Sequence, residues 1–328
     1  MRFPNIGVVG AGAWGIALAN VAVSAGRKVV LWGRDAEAMQ QLAATRSSPR
    51  LAGVKLGATI LATSENSALG ECDAVLFVVP AQATREVARR LAGEMRPSAP
   101  LIACAKGIEL GSGQFMTEIL SQAAPGRRTA ILSGPSFAAD VAAGLPTAVT
   151  LASADESFAR ALCDALQGAT FRLYHSNDVR GVEIGGAAKN VLAIACGISS
   201  GLGLGPSAGA ALIARGFAEL SRFGAAYGAR PATLMGLSGL GDLVLTCSSA
   251  QSRNFALGLA LGRGQPIAQA ITGKLAEGAT TAAALVQMAN ARSVDMPISA
   301  SVEAVLAGQL SPRAAVAALL SRPTRSEE

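Results

Sequence analysis

The 328-residue chain reads as an α/β protein: a doubly wound parallel sheet domain over residues 1–178, followed by an all-α domain over 179–328. Three observations carry that expectation. Short apolar runs alternate with amphipathic helical patterns through the first half, and a glycine-rich turn follows the first run and opens a helix. After about Asp178, strand-like alternation disappears.

Strands are expected at 6–9, 28–32, 74–79, 101–105, 130–132 and 147–151, with 170–174 completing the same sheet. Amphipathic segments such as 14–25 and 84–95 lie between them, and strand, helix and strand in succession imply parallel pairing with both faces covered. Helices are expected at 179–198, 209–227, 255–261, 280–291 and 298–306, with Pro231, Pro266, Pro297 and Pro312 at their boundaries. The stretch 191–214 has no charged residue, but Gly197, Gly201, Gly203, Gly205 and Pro206 read as breakers of a spanning helix. A core helix ending in a glycine-rich turn is expected there, with no membrane insertion. Residues 322–328 read as a frayed tail.

Composition bounds the function. With 51% hydrophobic and 15% charged residues the chain is neither disordered nor fibrous. The 28 basic residues exceed the 22 acidic ones without forming a block, so nucleic acid is not an expected partner. The mild positive field suits a small anionic ligand. Five cysteines, an odd number with no CxxC pair, speak against a zinc ribbon or a disulfide framework and for a reducing, cytoplasmic setting. No metal-ligand cluster is visible, and the N-terminal run reads as a buried strand rather than a signal peptide.

Gly10-Ala-Gly12-Ala-Trp-Gly15 follows the first strand and opens a helix, with a second strand ending about twenty residues on. This is the Rossmann-type dinucleotide fingerprint in its proper context. Its glycines let the backbone approach a pyrophosphate held at the helix N-terminus. A tight turn with no ligand is the alternative. At the end of the second strand stand Arg34 and Asp35. Arg34 favours the extra phosphate of NADP, and Asp35 keeps NAD open.

Lys189 interrupts the apolar run Ile184-Gly-Gly-Ala-Ala-Lys-Asn-Val-Leu-Ala-Ile194, on an expected buried helix. Gly185 and Gly186, at i−4 and i−3, lie beneath it and are read as leaving space for a ligand beside the ammonium. Burial favours the neutral amine and a carboxylate partner such as Asp242 favours the ammonium, so the balance is open at this point. A proton carrier for ketone reduction is the functional reading; a lysine that snorkels out of a core helix is the structural one.

Lys106 stands at the carboxyl end of a strand, the ligand-binding edge of a doubly wound sheet. Ser133-Gly134-Pro135-Ser136-Phe137 reads as a helix start able to hold an anion, or as simple capping. Asp242 is read between glycine-flanked turns, and Ser252-Arg253-Asn254 offers a hydroxyl, a guanidinium fork and an amide suited to phosphate. The single histidine, His175, lies apart from these clusters.

These motifs, together with Gly144-Leu-Pro-Thr147 and Gly239-Leu-Gly-Asp-Leu243, resemble the soluble, bacterial-type NAD(P)-dependent glycerol-3-phosphate dehydrogenase family along nearly the whole chain. The resemblance implies interconversion of dihydroxyacetone phosphate and sn-glycerol 3-phosphate with NADP or NAD, supplying phospholipid synthesis, and a homodimer is a further expectation. It implies Lys189 as the general acid/base, and Lys106, Gly134, Ser136, Asp242, Ser252, Arg253 and Asn254 as substrate-binding positions. Asn190 and Thr246 match positions near the substrate in related eukaryotic enzymes. Ala13, Trp14, Arg34, Lys106, Ala138, Arg253, Leu275 and Glu277 fall where the family contacts the cofactor. Ala13 replaces a usual serine, Asp140 stands where a glutamate is common, and the match around Leu275-Ala-Glu277 is loose. From the residues alone, two other readings remain: a β-hydroxyacid dehydrogenase acting on a carboxylate, and a non-catalytic NADP-sensing module.

Overall fold

A computed structural model describes residues 3–271 and 276–323. The chain divides into two compact units, 1–109 with 114–183 and 110–113 with 184–328.

The first unit is built on a sheet that, among the described residues, has strands β1 (Asn5–Val9), β2 (Lys28–Trp32), β3 (Leu61–Thr63), β4 (Ala74–Phe77), β5 (Leu101–Ala103), β6 (Thr129–Ser133), β7 (Thr147–Ala152) and β8 (Phe171–Ser176). They lie in the order β3-β2-β1-β4-β5-β6-β7-β8. Helices α1 (Ala13–Ser24), α2 (Ala36–Thr45), α3 (Thr84–Leu91), α4 (Met116–Ala123), α5 (Ala138–Ala142) and α6 (Glu156–Leu166) cover it. On one face Ile16, Leu42, Val141 and Phe158 join the core. On the other Leu91, Ile119 and Val182 do so. With both faces covered, β4 is buried at every residue, which is why it reads as an unbroken apolar run. The strand order reverses between β1 and β4, and open sheets take their ligands at the carboxyl ends of strands beside such a switch.

Two features depart from expectation. β3 went unforeseen because it is a three-residue edge strand whose Leu61 is 54% exposed, leaving no apolar run to see. The sheet is also not wholly parallel: β7 runs antiparallel to β6, pairing Ser133 with Thr150, while β8 is parallel to β7. The chain leaves β6 through Gly134 and α5 and returns along its neighbour without a full crossover. A doubly covered run carries no directional signal.

The second unit contains α7 (Val179–Gly201), whose first residues belong to the sheet unit, then α8 (Pro206–Ala226), α9 (Pro231–Leu234) and α10 (Asp242–Cys247). After these come α11 (Arg253–Gly262), α12 (Ile267–Ala270), α13 (Glu277–Ala291), α14 (Pro297–Leu306) and α15 (Pro312–Leu320). A π-helical turn, Leu237–Gly241, leads into α10, so Asp242 opens a helix instead of sitting between loops.

The division falls inside α7 because its start is tied to the sheet unit. Asp178 Oδ1 accepts from the Gly181 amide at 2.9 Å, and Glu183 Oε1 accepts from the Thr117 amide and hydroxyl at 2.8 and 2.9 Å. Helix α7 is long and apolar enough to cross a membrane, yet its apolar window is 100% buried inside the protein. Gly197 does not break it, contrary to the sequence reading, and Gly201 is its last residue. Instead they face Gly258 and Gly262 of α11, where a Cβ at Gly197 would run into the Phe255 carbonyl and one at Gly258 into the Ile194 carbonyl. The spacing of four on each helix permits a backbone-to-backbone crossing.

Candidate active site

In the sheet unit, Gly10 follows β1 with φ +116°, and its amide donates to the Trp32 carbonyl at 2.8 Å. A Cβ there would lie 2.8 Å from the Val78 carbonyl oxygen, and one at Gly15 would run into the Gly10 carbonyl. Only glycine fits this turn. It delivers the start of α1, whose N-cap Gly12 supplies no side-chain hydrogen bond. Nothing lies within 4 Å of where a Gly12 Cβ would stand. An uncapped helix start with open space beside it fits a dinucleotide pyrophosphate. The Trp14 indole N–H is buried and unpartnered in the same first turn, beside Ala13.

At the end of β2 the two candidates separate. Asp35 is the N-cap of α2, its carboxylate accepting from the Ala38 amide at 3.0 Å. Arg34 is exposed and makes no ion pair among the described residues. A phosphate-binding guanidinium is therefore available while the carboxylate is engaged in capping.

Beyond β5, Lys106 Nζ donates to the Gly134 carbonyl at 2.8 Å, and the Ser136 hydroxyl donates to the same oxygen at 3.0 Å. Gly134 holds φ +143°, and a Cβ there would lie 2.9 Å from Val149 Cα. Ser133 is buried with its hydroxyl unpartnered. The helix begins only at Ala138, so Ser136 does not cap it, as the sequence reading had allowed.

In the helical unit, Lys189 does not snorkel. Its side chain is 8% exposed and its Nζ lies 2.9 Å from Asp242 Oδ1, whose side chain is 1% exposed. It also donates to Thr246 Oγ1 at 2.7 Å, and that hydroxyl reaches Asp242 Oδ1 at 3.3 Å. One ammonium is thus oriented by two residues a helical turn apart on α10. Gly185 serves a different purpose from the one expected of it. A Cβ there would run into the Ser238 carbonyl, so the glycine lets the π-helical turn dock on α7 and carry Asp242 to the lysine.

Asn190, the next residue, makes a second set of ties. Its Oδ1 accepts from Asn254 Nδ2 at 2.9 Å, and Asn254 Oδ1 accepts from the Gly278 amide at 2.9 Å, beside Glu277 at the start of α13. A Cβ on Gly278 would lie 2.5 Å from the Asn190 carbonyl oxygen. Sequence reasoning missed Gly278, since nothing marks a glycine whose amide completes a side-chain relay. Ser252 caps α11, accepting from the Phe255 amide at 3.2 Å. Of the trio read as a phosphate grip, Ser252 and Asn254 are buried and structurally engaged. Arg253 is exposed, with no hydrogen bond or ion pair among the described residues. Leu275 lies outside the described residues. His175 is exposed on β8, 3.5 Å from Glu156. Among the described residues no group of His, Cys, Asp or Glu is suited to a metal.

Comparison with known proteins shows the family. Residues 5–159 match the family pattern described as NAD-dependent glycerol-3-phosphate dehydrogenase N-terminus, and 178–317 match its C-terminus. The chain is similar to a glycerol-3-phosphate dehydrogenase, NAD(P)+, of Azorhizobium caulinodans, 60% identical over 326 residues covering 99% of each chain. A Bradyrhizobium protein of the same description is 58% identical, covering 100% of this chain and 99% of its own. Among solved structures, glycerol-3-phosphate dehydrogenase from Coxiella burnetii superimposes with TM-score 0.93 at 38% identity, covering 98% of this chain and 99% of that one.

Proposed function

Because the chain belongs to the NAD-dependent glycerol-3-phosphate dehydrogenase family, we propose how its own residues carry out that family's reaction. The enzyme interconverts dihydroxyacetone phosphate and sn-glycerol 3-phosphate with NAD(P)H, yielding the backbone of phospholipids. The carboxylate-substrate and sensing alternatives give way to this reading.

A nicotinamide cofactor held at the Gly10–Gly15 turn would supply the hydride. Lys189 gives a proton from Nζ to the carbonyl oxygen as negative charge develops there, so that C=O becomes CH–OH and the amine regains its proton from solvent. Asp242 and Thr246 hold Nζ in one orientation, which keeps the donor pre-aligned. Arg253 faces the substrate phosphate through a guanidinium fork, with Ser252, Asn254 and Asn190 shaping the ground around it. Lys106, held by the Gly134 carbonyl beside Ser136, is assigned to the substrate by the same reading. The turn Gly10–Gly15, with Ala13 and Trp14, binds the pyrophosphate. Arg34 supports a preference for NADP, and Ala138 and Glu277 border the cofactor. The observation that carries this reading is the buried Lys189–Asp242–Thr246 triangle. A cytoplasmic homodimer belongs to the same proposal, and five buried free thiols support its reducing setting.

The test is loss of reduced-nicotinamide absorbance with dihydroxyacetone phosphate, set against 2-keto and 3-keto acids. Turnover confined to the phosphorylated ketone is expected. Comparable turnover of a keto acid would shift the substrate class, and silence with every ketone would leave only cofactor binding.

A further inference from the structure

A cavity of about 1240 Å³ opens within the helical unit, lined from α7, α8, α14 and α15. It exceeds the ~300–1,000 Å³ typical of small-molecule sites, and it takes in none of the residues assigned to the reaction. Its wall is apolar: Ile198, Leu212, Val302, Val305 and Leu319. Leu320, 81% exposed, extends that surface outward.

Two polar features break the wall. Ser199 on α7 lines the cavity at 2% exposure with its hydroxyl unpartnered, whereas buried hydroxyls nearly always have a partner. Arginines stand along the same lining. Arg215 is exposed and has no hydrogen bond or ion pair among the described residues. Arg222 donates to the Asp295 backbone carbonyl at 2.8 Å, and its charge also opposes the upward pull of burial on the nearby Glu219 carboxyl. The two acids in the lining have partners of their own. Asp295 is paired with Arg322 at 2.7 Å, and the Glu219 carboxylate accepts from the Ile298 and Ser299 amides and the Ser299 hydroxyl at the start of α14.

A long apolar wall, one buried hydroxyl and a cationic edge, with Arg215, Arg222 and Arg322 set against Glu219 and Asp295, are complementary to one class of ligand. We propose that this cavity binds a free, single-chain anionic amphiphile, with its acyl tail along the wall and its phosphate or carboxylate head at Arg215 and Arg222. Inorganic phosphate would leave the wall unused, and a neutral detergent would leave the arginines unused. The helix of a second copy is the competing occupant.

The experiment uses the full-length protein and isothermal titration with dodecyl phosphate below its micelle threshold, with dodecyl maltoside and inorganic phosphate run alongside. One dodecyl phosphate per chain is expected, bound at least about tenfold more tightly than either comparator. Arg215→Glu should weaken it by about tenfold or more, and Ala211→Trp, which fills the cavity from α8, should abolish it. Both variants should keep basal turnover; Arg215→Glu, on an exposed side chain, tests the site even if Ala211→Trp fails to fold. Equal affinity for phosphate or for the maltoside overturns the proposal, as does uptake only above the micelle threshold. So does a wild-type dimer that takes up no amphiphile and that Ala211→Trp dissociates, since the cavity would then be an interface between copies.

Discussion

At the scale of the residue, chemistry and stability meet in Lys189. Its ammonium is buried against Asp242, so removing one partner strands the other in a buried site. Lys189→Met should abolish turnover while NADPH binding, measured by fluorescence titration, stays nearly intact; substantial residual turnover would take the proton-carrier role from this lysine. The same variant should lose about 3–5 kcal/mol of stability, because an uncompensated carboxylate remains inside. Adding Asp242→Leu should return much of that stability and none of the activity, a split that a purely structural lysine would not produce. Arg253→Ala should weaken dihydroxyacetone phosphate by about 1.5–3 kcal/mol, read from KM, with a much smaller change for cofactor. Equal losses for both ligands would mean the arginine bridges them or is misassigned. The pairing of Lys189 with Asp242 was legible because charge inside an apolar or glycine-rich run is conspicuous. That Asn254 binds Asn190 and Gly278 was not, since an amide ready for substrate and one spent on a relay read alike.

At the scale of the element, apolar periodicity located most strands and the long helices of the second half, while direction and close approach escaped it. β7 looks like its parallel neighbours although it runs against β6. Gly197 and Gly201 look like helix breakers, yet they form one side of the α7–α11 crossing. Propensity measures what a glycine costs an isolated helix, about 1 kcal/mol, and says nothing of the backbone it admits. The crossing makes a measurable claim. Gly258→Ala raises intrinsic helix propensity on α11 but drives a methyl into the Ile194 carbonyl. The variant should be less stable by about 1–3 kcal/mol, read from the urea midpoint. A midpoint that rises instead would show that the two helices can separate freely at this point.

At the scale of the whole molecule, α7 is the helix that begins in the sheet unit and goes on to carry Lys189 in the helical one. Its anchor in the first unit is a fully buried acid: burial pushes the Glu183 carboxyl up to about 7, against the opposing pull of the Thr117 hydrogen bonds and the Arg180 charge. Arg180 is itself fixed over the Phe115 ring at 4.0 Å and paired with Glu118. Folding therefore raises this acid's affinity for its proton above the ordinary value of 4.5. Its stabilising contribution is complete below pH 4.5 and is lost as pH rises through about 7, where the folded protein must hold a buried carboxylate. Glu219 is displaced in the same direction by burial, so the helical unit adds to the trend. Asp155, held low by the Ser157 hydroxyl and the Phe158 amide, works the other way, so the raw pH profile mixes opposite contributions. The difference between wild type and Glu183→Gln isolates one of them. Glutamine keeps the Thr117 hydrogen bonds and cannot ionise, so the wild type should lose on the order of 3 kcal/mol relative to the variant between pH 4.5 and pH 7. Urea midpoints taken across that window would show the two curves converging or crossing as pH rises; curves that stay parallel would mean Glu183 does not change its charge there, and that α7 is anchored to the first unit by a permanently ionised acid.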